Sequence, residues 1–545
     1  MNFVARGFSV IPPWVRMGLL LLFTAAYLFP LTSLLYRVGD DGTLIYGAQR
    51  VTEGAIPGRD FLEVMGPGSF YWLAMFFRLF GTGWQVTRVV LLLTGVATIG
   101  LLYAIARQAC RESVALLLWL FVLVVGMRIW PAVSHHWDSN LFAVAALRCY
   151  LKLEKTARRR WAITAGALAG ITSCFIQHKG LLLVIGLMAG SVIRRVLPRS
   201  SPLQIQGKWT ATWLIAGSYT AVGVAVLTAY WKAGALGDLF YANVTWPMFG
   251  YQTVNVVPYG QLLLSIAAGP AFKVIGPDWA TTSLVCAGFS LVPFLVIAIL
   301  PLLVAGAALA CLWDPEKRRI WLAGPLLVLT LAGTALWLSE IHRKDVIHLI
   351  YGSPVLLIAL LATLAIILDS SLRKVVMGTL AMGLIVFGTL HFISEGRGSQ
   401  TVETRLGPVR NISNDEALRY LCTAVAKREF VFVYPYSPIY YYLADVGNPT
   451  RFSILLYGYN TPDQFDEVIR NLEEKRVRYI LWDTKLYGEK LRALSPAYRH
   501  PSGDNLKLER YFSSKYDDVA MKGDFRILQR RQSEDREFTV HSGSF

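Results

Sequence analysis

Charge is scarce in this chain. Only 16% of its 545 residues are Asp, Glu, Lys or Arg, while 54% are hydrophobic. With a mean hydropathy of +0.45, that shortage excludes an ordinary soluble globular protein and sets the class as a polytopic membrane protein. Acids are the scarcer sign, 36 against 53 Lys and Arg, for a net charge of +17. Such a balance would suit nucleic acid if the cations formed one basic face. They sit instead in short clusters between apolar runs, so nucleic acid is set aside and the clusters read as topology signals. Cysteine is also sparse: Cys110, Cys149, Cys174, Cys286 and Cys311 fall in or beside apolar segments, and only Cys422 lies in the polar C-terminal part. No disulfide framework or paired zinc spacing follows. The first apolar run, Met17 to Tyr36, lacks a small-x-small cleavage site and is expected to be retained as a span.

Further apolar runs cover about Val89–Ala106, Ser113–Met127, Ser139–Leu151, Trp161–Ile176, Gly180–Ile193, Trp209–Trp231, Thr282–Trp313, Ile320–Leu338, Val346–Leu368 and Val375–Ile393, giving about eleven spans. Arg6 and Arg16 before the first span put the N-terminus in the cytoplasm by the positive-inside rule. Arg107, Arg111, Lys152 to Arg160, Arg194, Arg195, Arg199, Lys317 to Arg319, Arg373 and Lys374 then fall on that same side. The expected architecture is a transmembrane domain over 1–394, with a first outer loop at 37–88, and an extracytoplasmic α/β domain over 395–545. The expected setting is the bacterial cytoplasmic (inner) membrane. In the first loop FYWLAMFFRLF is too short to span and reads as an interfacial helix. In the C-terminal domain Asp415–Lys427 and Pro462–Lys475 read as helices, the second with Thr461 as N-cap. EFVFVYPY and Arg478–Trp482 read as strands. This domain carries no Gly-rich phosphate fingerprint, nucleophile elbow or metal spacing, and reads as shaping or structural.

Four clusters of ionisable residues are expected at the outer membrane boundary, where charges are costly and call for an explanation. The first loop holds Asp40, Asp41, Asp60 and Glu63. A partly desolvated carboxylate kept ionised by a neighbouring cation or metal suits a general base acting on a hydroxyl. The paired acids also suit the cap of a helix over Leu44–Thr52. His135, His136, Trp137 and Asp138 form the second cluster; adjacent histidines on one helix point about 100° apart, so one is expected to face a site. The third is Gln177, His178 and Lys179. The fourth is Glu340, His342, Arg343, Lys344, Asp345 and His348, where helical spacing puts Lys344 and Asp345 on one face with His348 and lets the segment hold an anion against several donors.

The stretches DDGTLIYGAQR, PGRDFLE and GPGSFYW after the first span, with HRKDVIHL before the tenth and VYPYSPIYYYLADVGNPTRF and LEEKRVRYILWD in the outer domain, resemble the GT-C superfamily of polytopic glycosyltransferases. That superfamily includes protein O-mannosyltransferases and the aminoarabinose transferases that modify lipid A. The resemblance implies a sugar carried on a polyprenyl phosphate and transferred with inversion to an extracytoplasmic acceptor. It implies that Asp40, with Asp41 and Glu63 beside it, supplies the catalytic base, with Asp60 and Tyr46 in the acceptor loop. A divalent metal, where one is used, would fall to Asp40, Glu63 and His135. The donor phosphate is expected at Arg343, Lys344 and His348, helped by His135 and Lys179. The chain departs from the family in its Asp-Asp pair, where Asp-Glu is commoner, and in the later position of Tyr46. A lipid-linked polysaccharide ligase and a lipid or sugar transporter are the alternatives, the latter opposed by the lack of an internal repeat and by charges at span ends.

Overall fold

The computed structural model describes residues 11–35, 39–196, 209–250, 255–396, 400–411, 415–486, 491–501 and 506–531. Arg6, Arg199 and the loop start at 36–38 lie outside them, as does the side chain of Arg195.

The first span is helix α1 (Pro13–Leu28), which opens on a proline at N1 and runs into a 3-10 turn, Phe29–Ser33. The first loop then folds into two helices, α2 (Gly39–Thr52) and α3 (Pro67–Phe80). Helix α2 starts earlier than the expected Leu44, so Asp40 and Asp41 lie inside its first turn, where the exposed N–H groups favour acids. The FYWLAMFFRLF stretch lies in α3, one face of it buried and Tyr71, Met75, Leu79 and Phe80 exposed, as an interfacial helix requires.

A bundle follows: α4 (Trp84–Ala109), α5 (Glu112–Val124), α6 (His135–Thr156), α7 (Arg159–Phe175), α8 (Gln177–Val196) and α9 (Thr210–Lys232). After it come α10 (Leu263–Ile275), α11 (Ala280–Ala298), α12 (Leu300–Trp313), α13 (Pro315–Ala323), α14 (Leu326–Leu338), α15 (Val346–Gly352), α16 (Pro354–Ile367) and α17 (Ser370–Gly396). Among the described residues five helices are long and apolar enough to cross a membrane, or seven if each of the bent pairs α13–α14 and α15–α16 is one span. Exposed Trp213, Val224, Leu227 and Trp231 on α9 give it the apolar surface that lipid requires.

The expected run of spans is redrawn in places. The Thr282–Trp313 run is two helices broken before Pro301, because proline removes a backbone donor and crowds the preceding turn. The runs Ile320–Leu338 and Val346–Leu368 each bend, by 70° and 67°, at Pro325 and Pro354. The expected loop between Lys232 and Thr281 contains a further apolar helix, α10.

Beyond α17 lies a hairpin of β1 (Gln400–Val402) with β2 (Val409–Asn411), then a four-stranded mixed sheet. Its strands are β3 (Val431–Tyr434), β4 (Tyr479–Asp483), β5 (Tyr516–Lys522) and β6 (Phe525–Arg530), in the order β3-β4-β6-β5, with β3 and β4 parallel and the other pairs antiparallel. Parallel β3 and β4 are connected through α19 (Ile439–Leu443) and α20 (Pro462–Glu474), after α18 (Glu416–Ala424). Asp415 caps α18 and Thr461 with Gln464 forms a capping box on α20. Tyr479–Asp483 has four of its five residues buried, as a strand covered on both faces should.

This domain clamps the first loop. Leu62 donates its N–H to the Arg451 carbonyl at 2.9 Å, the Asn448 N–H donates to Tyr46 Oη at 2.9 Å, and the Trp84 N–H donates to the Leu406 carbonyl at 2.8 Å. Gly42 lies so close to α19 that a Cβ there would stand 2.4 Å from the Ile439 nitrogen. The residue must be glycine for α2 and α19 to pack at this distance.

Candidate active site

Asp41 and Asp40 are adjacent in sequence and differ in surroundings. Asp41 is fully buried: Oδ2 accepts from Arg88 Nη2 at 2.5 Å and Oδ1 accepts from the Val133 N–H at 2.7 Å. The Arg88 guanidinium also donates to the Pro131 carbonyl at 3.0 Å and lies 3.8 Å over the Trp84 ring. Asp41 thereby ties α2 to α4 and to the segment before α6, and its oxygens are occupied. Asp40 keeps an accessible face. Burial pushes its carboxyl above the ordinary range, opposed by His348 and Arg343 and reinforced by Asp41 and Asp345. The first-loop acid and the cationic segment some 300 positions later are thus electrostatic neighbours.

That segment is organised by Asp345. It caps α15 by accepting from the His348 N–H at 3.0 Å, accepts from His348 Nδ1 at 2.8 Å, and accepts from Arg343 Nε at 2.6 Å. Burial would raise its carboxyl, but His348 and Arg343 outweigh it and hold it below the usual carboxylate range. Arg343 Nη1 reaches Asn255 Oδ1 at 2.8 Å. Lys344 does not share the face of His348 that helical spacing predicts, because α15 begins only at Val346. Its ammonium lies 4.0 Å over the Trp337 ring and donates to the Trp337 carbonyl at 3.2 Å, and burial lowers its pKa to about 8.

Glu340, in the turn after α14, is a second hub. Lys179 Nζ donates to Oε1 at 2.8 Å, and His136 Nδ1 sits astride both oxygens at 3.1 and 3.2 Å. Burial alone would raise this carboxyl, yet His136 and Lys179 hold it well below its ordinary value. Around it five of the chain's eight histidines gather: ring centroids of His135 and His136 are 4.1 Å apart, His136 and His348 4.9 Å, and His342 is 5.5 Å from both His178 and His348. His136 stacks on Tyr351 at 4.3 Å with the planes 3° apart.

The set expected to hold a metal, Asp40, Glu63 and His135, is not the one brought together. Among the described residues the group within ligand reach of one another is His136, Glu340 and His348. Two imidazoles and a carboxylate suit a divalent transition metal, and Glu340 Oε2 is left without a well-directed donor. The Asp345 carboxylate on His348 Nδ1 is the kind of outer partner that orients a ligating imidazole. These residues fit a divalent ion.

Glu63 is buried beside the clamp, with Oε1 lacking a hydrogen-bond partner, and burial pushes its carboxyl up to about 8. It is therefore protonated at neutral pH. Asp60 stands apart from the cluster: it accepts from Arg59 and from the Ile56 N–H at 2.7 Å and shapes the loop. Tyr46 Oη is taken by Asn448, and its ring stacks on Tyr441 at 5.1 Å. Arg88 is a site residue that the sequence does not single out, since it stands alone just before the apolar run at Val89. Glu340 belongs to the fourth cluster, but nothing in spacing connects it to Lys179 or His136.

No protein-family model and no curated protein matches the sequence. The structure is similar to the Archaeoglobus fulgidus oligosaccharyltransferase tethered with an acceptor peptide, with 12% identity, 94% of this chain and 74% of that one covered, and a TM-score of 0.47. The same enzyme in complex with Zn and sulfate matches with 13% identity, 87% and 69% covered, and a TM-score of 0.47. It is also similar to ArnT from Cupriavidus metallidurans bound to undecaprenyl phosphate, with 12% identity, 95% and 98% covered, and a TM-score of 0.42. At such identities no residue role transfers from them, and the chemistry stands on this chain's own geometry.

Proposed function

We propose that the chain is an integral membrane glycosyltransferase that moves a sugar from a polyprenyl-phosphate donor to an extracytoplasmic acceptor hydroxyl with inversion. What supports this reading is that Arg343 and His348, themselves held together by Asp345, lie close enough to Asp40 to act electrostatically on its carboxyl. A base and a set of cations converge on one place, as transfer from a phosphate leaving group requires. The donor tail lies among the spans and its phosphate against Arg343 and His348, with Lys179 adding positive charge behind Glu340. Asp40 takes the proton of the acceptor hydroxyl. The acceptor oxygen bonds to the anomeric carbon from one face while the carbon–oxygen bond to the phosphate breaks on the other, its electron pair leaving with the phosphate. No covalent enzyme intermediate is needed. Protonated Glu63 can donate a hydrogen bond to the acceptor from its unpartnered edge. A divalent ion, if bound, would be held by His136, Glu340 and His348, and the chemistry it would supply is screening of phosphate charge.

Lys344 and Asp60 are left out of this mechanism, and Asp41 is assigned to holding α2 in place. The cytoplasmic N-terminus, the inner-membrane setting and the division at about residue 395 belong to the same proposal. The test is transfer by purified protein from radiolabelled polyprenyl-phosphate sugars to membrane extracts. Asp40→Asn abolishes transfer while donor binding stays near normal; retained turnover in that variant removes Asp40 as base. A polysaccharide ligase would need the cations but not Asp40, so the same variant separates the two readings.

A further inference from the structure

The C-terminal domain contains a partly open cavity of about 380 Å³ whose described lining residues are Arg492, Tyr498, Arg499 and His500. None of the described residues lining it is acidic. Its groups are held in place. Arg499 Nη1 donates to the Pro496 carbonyl at 2.7 Å and to the Tyr498 carbonyl at 3.0 Å, which fixes the plane of the guanidinium. His500 has Nδ1 3.4 Å from the buried Tyr498 hydroxyl, and its ring meets that of Tyr457 at 5.7 Å. A neighbouring acid, Glu509, accepts from Tyr434 at 2.5 Å and from Tyr457 at 2.6 Å. Two guanidiniums and an imidazole around a cavity, with the neighbouring carboxylate engaged elsewhere, present an arrangement suited to an oxyanion, for which Arg offers paired donors.

The cavity also has an address. Tyr498 packs in a small apolar cluster with Trp246, Leu456, Tyr459 and Leu491, and Val64 packs against that cluster. Val64 follows Glu63 in the first loop, so the apolar cluster that carries Tyr498 also touches that loop.

We propose that this cavity binds an oxyanion, a phosphate or carboxylate carried by the acceptor, and so holds the acceptor alongside the Glu63 loop. The anion site stands on its own; the link to the acceptor rests on the glycosyl-transfer reading. The experiment titrates inorganic phosphate, and separately glucuronate, into full-length protein purified in detergent and carrying Arg343→Ala, which weakens the donor phosphate site. One saturable site is expected, and adding Arg492→Gln and Arg499→Gln weakens it roughly tenfold or more. Both arginines are exposed, so the substitutions leave the fold intact. Tighter binding of phosphate or of glucuronate tells which group the acceptor carries. Absence of saturable binding, or equal affinity after the double substitution, overturns the site. In protein with native Arg343, the double variant raises KM for an anionic acceptor about tenfold with kcat little changed, a difference near 1.4 kcal/mol. If phosphate binding is lost while that KM is unmoved, the acceptor link fails and the anion site stands.

Discussion

Asp41 bonds Arg88 at 2.5 Å with neither side chain exposed, while the carboxyl of the adjacent Asp40 feels the charges of Arg343 and His348. Adjacent positions on one helix thus give two like acids different surroundings. Asp41→Ala leaves the Arg88 charge buried and unpaired, which costs about 3–5 kcal/mol. Thermal unfolding in detergent should show a large loss for Asp41→Ala and a small change for Asp40→Asn, the reverse of their order in transfer activity. Equal stability losses would mean that the two acids are not divided in this way.

Arg343 and His348 are both held by Asp345, so Asp345→Asn releases both at once. The variant should weaken binding of a polyprenyl-phosphate sugar by more than Arg343→Ala does, because the lone Arg343 change leaves His348 in place. Equilibrium binding of labelled donor measures the difference, and a weaker effect from Asp345→Asn would place the phosphate elsewhere.

Glu63 has its carboxyl raised from 4.5 to about 8. The folded chain therefore binds a proton that the unfolded chain has lost. The associated stability is complete below the unfolded pKa and disappears as pH rises from there through about 8. Melting temperature of the natural protein should fall relative to Glu63→Gln between about pH 4.5 and about pH 8. Parallel pH profiles for the two proteins would show that Glu63 is not held protonated.

Gly42 packs against the backbone of Ile439, where a Cβ would stand 2.4 Å from a nitrogen. Gly42→Ala should loosen the C-terminal domain from the first loop and raise proteolysis of the loop, with the spans unaffected. Limited proteolysis followed by mass spectrometry reads this directly, and an unchanged pattern would mean that α2 shifts without cost.

Much of the C-terminal domain was legible because its signals are local. Thr461 followed by Pro462 and Gln464 marks a helix start, and EFVFVYPY is a buried strand whose core is Val431–Tyr434. Span boundaries were less legible where proline breaks a continuous apolar run, since composition alone does not say whether Pro301, Pro325 or Pro354 is absorbed or bends the chain. In the site, Asp345 and His348 lie three apart and their pairing follows from spacing. Lys344 was misplaced because the helix begins two residues after it. His136, Glu340 and Lys179 come from three segments, and nothing in one-dimensional spacing brings them together.

The sequence by itself determined a membrane-embedded chain with an acidic loop after its first span, because hydropathy and charge are additive properties of short windows. Only the tertiary structure decided which acid is tied up. Asp40 and Asp41 have the same side chain, and they differ because Asp41 meets Arg88 in a sealed contact while Asp40 keeps an accessible face within the field of Arg343 and His348. A carboxylate's role follows from the charges and solvent around it, and those are supplied here by helices far apart in the chain.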